Sequence, residues 1–114
     1  MKASFMRFEF CNGCEGSVSY KAFLGKLIDH TKSIPDQFRD RLNLFLILID
    51  DLYPESGIIN ISTTGRDFEI EFSFDSIKAD PDQDIIERLG FSVNQTEQSI
   101  TGKAVMLICE EIFN

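Results

Sequence analysis

Apolar and polar positions change period several times along this chain, and the changes divide it into elements. From Ala3 to Cys11 the period is two, with Phe8 and Phe10 on one side and Arg7 and Glu9 on the other, which predicts a half-buried strand. Cys11-Asn12-Gly13-Cys14 follows. Asn-Gly favours a hairpin, but a two-residue turn there would set Phe10 opposite Glu15 and Phe8 opposite Ser17, so the segment reads as a strand-to-helix loop. Tyr20, Phe23, Leu24, Leu27 and Ile28 then recur at helical spacing and predict an amphipathic helix from about Ser17 to Thr31.

Ser33 is placed to cap a second helix, with Pro35 in its first turn and Pro54 ending it. Its polar positions Asp36, Asp40, Asn43 and Asp50 form so narrow a stripe that the helix is expected to be nearly enclosed at the centre of the fold. Gly57 to Thr63 predicts an Ile-rich strand and Thr64-Gly65 a turn. Asp67 to Asp75 alternates cleanly, Phe68, Ile70, Phe72 and Phe74 facing a core and Asp67, Glu69, Glu71, Ser73 and Asp75 facing water. Asp80-Pro81-Asp82-Gln83 reads as the start of a third helix capped by Asp80, and Gly90 as its stop. Phe91 to Ile100 is polar enough to predict a weak strand or a loop. Val105, Ile108, Cys109 and Ile112 share a helical face, so a terminal helix is expected from about Gly102 to Phe113, with a buried strand over Ala104 to Cys109 as the alternative. The order predicts one α+β domain over residues 1–114, its helices packed on one face of a mainly antiparallel sheet.

Composition adds an electrostatic constraint. The 114 residues are 43% hydrophobic, including 11 Phe, enough for a packed core. The net charge is −8, and it is unevenly spread: Met1 to Leu46 holds seven basic against five acidic residues, the remainder four against fourteen. Such a chain repels phosphates, which excludes sequence-reading nucleic-acid binding and docking on an anionic membrane, and leaves a protein partner with a basic surface as the expected one. The longest apolar runs, Leu44 to Ile49 and Ala104 to Cys109, have six residues each, against ~18 for a bilayer span. With no apolar secretory segment at the start and an odd number of cysteines, a soluble, cytoplasmic protein with reduced thiols is expected.

The order of elements, with a buried helix followed by an Ile-rich and an alternating strand, resembles the GHKL (Bergerat-fold) ATPase domain, and within it the anti-sigma-factor serine kinases. In that family the central helix carries an acidic residue and, four residues on, an Asn that holds Mg²⁺; a D-x-G-x-G motif contacts adenine and a Gly-containing lid precedes a later helix. Here Asp75-Ser76-Ile77-Lys78-Ala79 keeps the Asp and lacks both glycines, Leu44 and Leu48 stand near the positions of the acid and the Asn, and Gly102-Lys103-Ala104 resembles the lid-to-helix junction with one Gly missing. The resemblance implies a degenerate nucleotide site, no cofactor and no kinase activity. A triphosphate needs backbone amides, basic side chains or a metal, and the acidic part of this chain offers little for it.

The remaining candidates are few. Cys11 and Cys14 occupy the strand-to-helix position of a thioredoxin-like pair, but the following strand-helix alternation is missing; as metal ligands they would need Cys109 and His30, with no second C-x-x-C to help. The plain reading is two thiols in a loop. His30 falls outside the apolar stripe of its helix and reads as exposed. Glu69 and Glu71 lie ~7 Å apart along one strand face, side by side and not across a cleft as a catalytic pair would. The row Asp67, Glu69, Glu71 and Asp75 instead suits a basic protein groove. Asp80, Asp82 and Asp84 complement a helix N-terminus, whereas Asp50, Asp51 and Glu55 sit at a helix C-terminus that they oppose, which marks them for a partner contact. The expected function is that of a non-catalytic acidic regulator that binds and restrains a transcription or signalling protein. The alternative is an immunity or anti-defence protein that occludes a basic nuclease toxin or effector. A free sheet edge leaves a homodimer possible in either case.

Overall fold

Strands β1 (Ser4–Cys11), β2 (Ser56–Thr63), β3 (Asp67–Asp75), β4 (Ser92–Thr96) and β5 (Ser99–Leu107) form one sheet in the computed structural model, which describes residues 4–32, 36–63 and 67–107. Their order across the sheet is β1-β2-β3-β5-β4, every neighbouring pair antiparallel, so the strand of clearest alternation, β3, is central. Helices α1 (Tyr20–Thr31), α2 (Asp36–Leu52) and α3 (Gln83–Leu89) cover one face. The chain is thus α+β, with helices on one side of an antiparallel sheet.

The core lies between these layers and is largely aromatic. Phe68, Ile70, Phe72 and Phe74 of β3 point into it with Phe8 and Phe10 of β1, Ile59 and Ile61 of β2, and Ile100 and Ala104 of β5. Phe38 of α2 stacks on Phe68 with ring centroids 4.9 Å apart, and Phe45 lies 5.2 Å from Phe72 and 5.6 Å, edge-on, from Phe91. Offset and edge-to-face pairs of this kind add to simple area burial. On β1, Phe10 meets Phe23 of α1 at 4.7 Å.

Several boundaries differ from the sequence expectation. Ser19, not Ser17, starts α1: its hydroxyl accepts from the Ala22 amide at 3.2 Å. Asp82, not Asp80, caps α3, its carboxylate accepting from the amides of Asp84 and Ile85, while Pro81 is buried just ahead of it. Gly90 ends α3 in the left-handed conformation, as expected. Helix α2 is one-sided, not enclosed: Phe38, Leu42, Phe45, Leu48, Ile49 and Leu52 are buried, but Ile47 is exposed and Leu44 and Leu46 are half-buried. The proposed caps Ser33 and Pro35 and the turn Thr64-Gly65 lie outside the described residues.

The largest correction concerns the end of the chain. The expected helix from Gly102 is β5 instead, hairpinned to β4 through Glu97-Gln98, and Phe91 to Ile100 supplies one whole strand and the start of the next. Ile100, Gly102 and Ala104 are buried while Thr101, Lys103 and Val105 are exposed, a period of two. Position between β3 and β4 dictates this, since both backbone edges of β5 find partners. The part of the expected helix from residue 108 lies outside the described residues.

Candidate functional site

The face of the sheet opposite the helices carries the side chains of the second alternation, and no described helix packs on it. Its register aligns one row across all five strands: Arg7 beside Asn60, Asn60 beside Glu71, Glu71 beside Lys103 and Lys103 beside Ser92. The adjoining row is Phe5, Ser62, Glu69 and Val105. The twist inherent in such a sheet makes the middle of this face a shallow hollow of about 530 Å³, bordered by Arg7, Ile58, Asn60, Glu71, Thr101 and Lys103.

Within it the charges are mixed, not uniformly acidic. Lys103 Nζ lies 3.0 Å from Glu69 Oε1, and that hydrogen bond and charge, with a smaller contribution from Glu71, hold the ammonium above its usual range. Arg7 sits 3.4 Å from Glu9 on its own strand. The row Asp67, Glu69, Glu71 and Asp75 is therefore on one face as expected, and β5 brings a lysine against its middle. Asn60 is the unusual member: its Oδ1 is buried and has no hydrogen-bond partner among the described residues. A buried acceptor in that state costs about 1–3 kcal/mol, and because Asn60 is half-buried at the wall of the hollow, a turn of its amide would bring Oδ1 to a donor from outside.

The second acidic group does not join this face. Asp50 and Asp51 belong to the helix layer, on the other side of the sheet. Asp50 Oδ1 accepts from the Tyr20 hydroxyl at 3.4 Å; burial first, then the Asp50 charge and this bond, push the phenol upward in pKa. Glu55 pairs with Lys78 at 3.0 Å, and its amide donates to the carbonyl of Asp75, so Glu55 and Asp75 meet at one end of the sheet. The seven acidic residues expected to contact a partner thus divide between two sides of the molecule.

At that same end the loop after β1 is more ordered than two plain thiols require. Cys11 and Cys14 are joined as a disulfide, with their Cα atoms 5.5 Å apart. Asn12 between them accepts from the Tyr20 amide through Oδ1 at 3.0 Å and donates its own amide to the Glu55 carbonyl at 2.9 Å. The loop therefore ties the start of α1 to the entry of β2. His30, expected to be exposed, is half-buried with its ring 5.5 Å from that of Phe8, and burial lowers its pKa. No group of metal-ligating side chains occurs among the described residues.

Positions that the ATPase resemblance assigns to ligands are apolar and inward: Leu48 is fully buried and Leu44 half-buried. Gly102 is mid-strand against Phe72. Sequence reasoning overlooked Asn60, Arg7 and Lys103; the signal was there in Asn60, a polar residue on the outward phase of an Ile-rich strand. No protein-family model, no curated protein and no solved structure matches this chain.

Proposed function

We propose that this protein is a non-catalytic regulator that binds a protein partner on the open face of its sheet. The observation that carries the reading is the hollow around Asn60: an unpartnered buried acceptor flanked by Glu71 and by Ser73 and Thr101. A partner presenting a Lys or Arg side chain would meet Glu71 with complementary charge and, with the Asn60 amide turned outward, satisfy its Oδ1, while Arg7 and the Lys103–Glu69 pair would set its orientation. Net charge −8 steers a basic partner toward the protein. The resemblance of the first five elements, a strand and two helices followed by an Ile-rich and an alternating strand, to anti-sigma-factor kinases supports a transcription or signalling protein as that partner, bound in the cytoplasm. Val105 and Phe5, both exposed on this face, supply apolar contact at its rim.

The test combines capture and mutation. Tagged protein retrieves its partner from native lysate, mass spectrometry identifies it, and the purified pair is titrated. Glu69→Gln plus Glu71→Gln is expected to slow association severalfold while changing unfolding by less than about 1 kcal/mol, the scale of exposed ion pairs. Binding unaffected by this pair and by changes at Asn60 would reject the face. A basic nuclease as the captured protein would replace the transcriptional reading with that of an inhibitor.

A further inference from the structure

We propose that Cys11–Cys14 is a reversible thiol–disulfide exchange site, in which Cys14 is the sulfur attacked and Cys11 the leaving group, and that it reacts by preference with cationic small thiols. Three features carry this. The pair is bridged across only Asn12 and Gly13, in a loop whose residues Asn12 to Ser17 are all exposed. The two sulfurs are inequivalent: Cys14 is exposed, whereas Cys11 is half-buried at the end of β1, its amide held by the Val18 carbonyl at 3.0 Å. Access of the attacking thiolate and choice of sulfur govern exchange, so the exposed sulfur is the one attacked.

The third feature is charge. A cleft of about 350 Å³ runs beside Cys11, with Glu9, Ser17, Ser56 and Asp75 among its walls. Glu15 follows Cys14 directly, and the Glu55 carbonyl accepts from the Asn12 amide while its carboxylate pairs with Lys78. Glu9 is paired with Arg7 and Glu55 with Lys78, so Glu15 and Asp75 carry the net negative charge around the pair, which disfavours a thiolate of net charge −1 or −2 against the zwitterionic thiolate of a small aminothiol.

The exchange balances with two equivalents of thiol. A thiolate RS⁻ attacks Cys14 Sγ, the Cys11–Cys14 bond breaks, and its electron pair leaves on Cys11 Sγ, which takes up a proton. A second RS⁻ attacks the R sulfur of the mixed disulfide, giving RSSR and releasing Cys14 as a thiolate. The protein disulfide is reduced and the small thiol oxidised; RSSR drives the reverse.

The experiment uses the full chain carrying Cys109→Ser, which leaves this pair as the only cysteines, and reads intact mass after quenching with iodoacetamide. Protein equilibrated with cystamine should take no alkylation at the pair, and native protein given cysteamine should take two. With each rate divided by that of the same thiolate on a small neutral disulfide, to remove intrinsic nucleophilicity, cysteamine at low salt should be favoured about tenfold or more over mercaptoacetate, with mercaptoethanol between them, and added salt should close the gap. In Cys11→Ser, cystamine should attach readily at Cys14; in Cys14→Ser, attachment at Cys11 should be markedly slower. A pair that alkylates fully after cystamine, that resists excess cysteamine until the protein unfolds, or that shows equal normalised rates with cysteamine and the anionic thiol would overturn the proposal. Faster attachment at Cys11 than at Cys14 would overturn the assignment of the attacked sulfur.

Discussion

Asn60 shows how one side chain separates stability from binding. Its buried, unpartnered Oδ1 is a cost to the free protein, so Asn60→Val, of similar bulk and high strand propensity, is expected to leave unfolding unchanged or raise its free energy by about 1 kcal/mol. Partner affinity should fall in the same variant, and parallel urea titrations and binding isotherms check the opposite signs. His30 gives a second test. Its pKa is lowered in the fold by burial against Phe8, from an unfolded value of 6.5. The unfolded chain then binds more protons between the two values, so the contribution is present above 6.5 and lost as pH falls through the lower folded pKa. Urea midpoints measured on both sides of the histidine pKa should decline on the acid side, and His30→Gln should flatten that part of the profile.

The elements explain which expectations held. Strand β3 was legible because its period of two is strict over nine residues and both of its faces have uses: Phe inward, carboxylates outward. Strand β5 was not, because Val105, Ile108, Cys109 and Ile112 also fit a helical face, and only pairing with β3 decides between the periods. Its Gly102 has a packing reason. Gly102 lies opposite Phe72, and Gly57 of β2 lies opposite Phe74, so each of these two rings covers a neighbouring glycine. A Cβ at Gly102 would come within 2.6 Å of the Phe72 ring. Gly102→Ala is therefore expected to cost about 1–3 kcal/mol by overpacking, and Phe72→Ala about 3–5 kcal/mol by leaving a cavity. A double-mutant cycle should give less than their sum, since the two changes share one space; additive losses would mean that ring and glycine do not meet.

For the whole molecule, layering is what matters. Helices shelter one face of the sheet and leave the other open, so the acidic row on β3 and the acids at the end of α2 look in different directions. A partner on the sheet face should associate faster at low salt, with a rate that falls as ionic strength rises. Removing Asp51 should affect that rate far less than removing Glu71, and stopped-flow association across a salt series checks both. The sequence by itself determined the period of β1, β3 and α1 and the side of each that meets the core, the net charge and the spacing of the carboxylates, because these follow from local alternation and composition. Only the tertiary structure decided the sheet order, the strand character of β5, the lysine set against Glu69, the orphaned acceptor of Asn60 and the pairing of Cys11 with Cys14 within a loop that ties α1 to β2. Each of these depends on contacts between residues distant in the chain or on the path of a loop, and hydrophobic period carries no record of either.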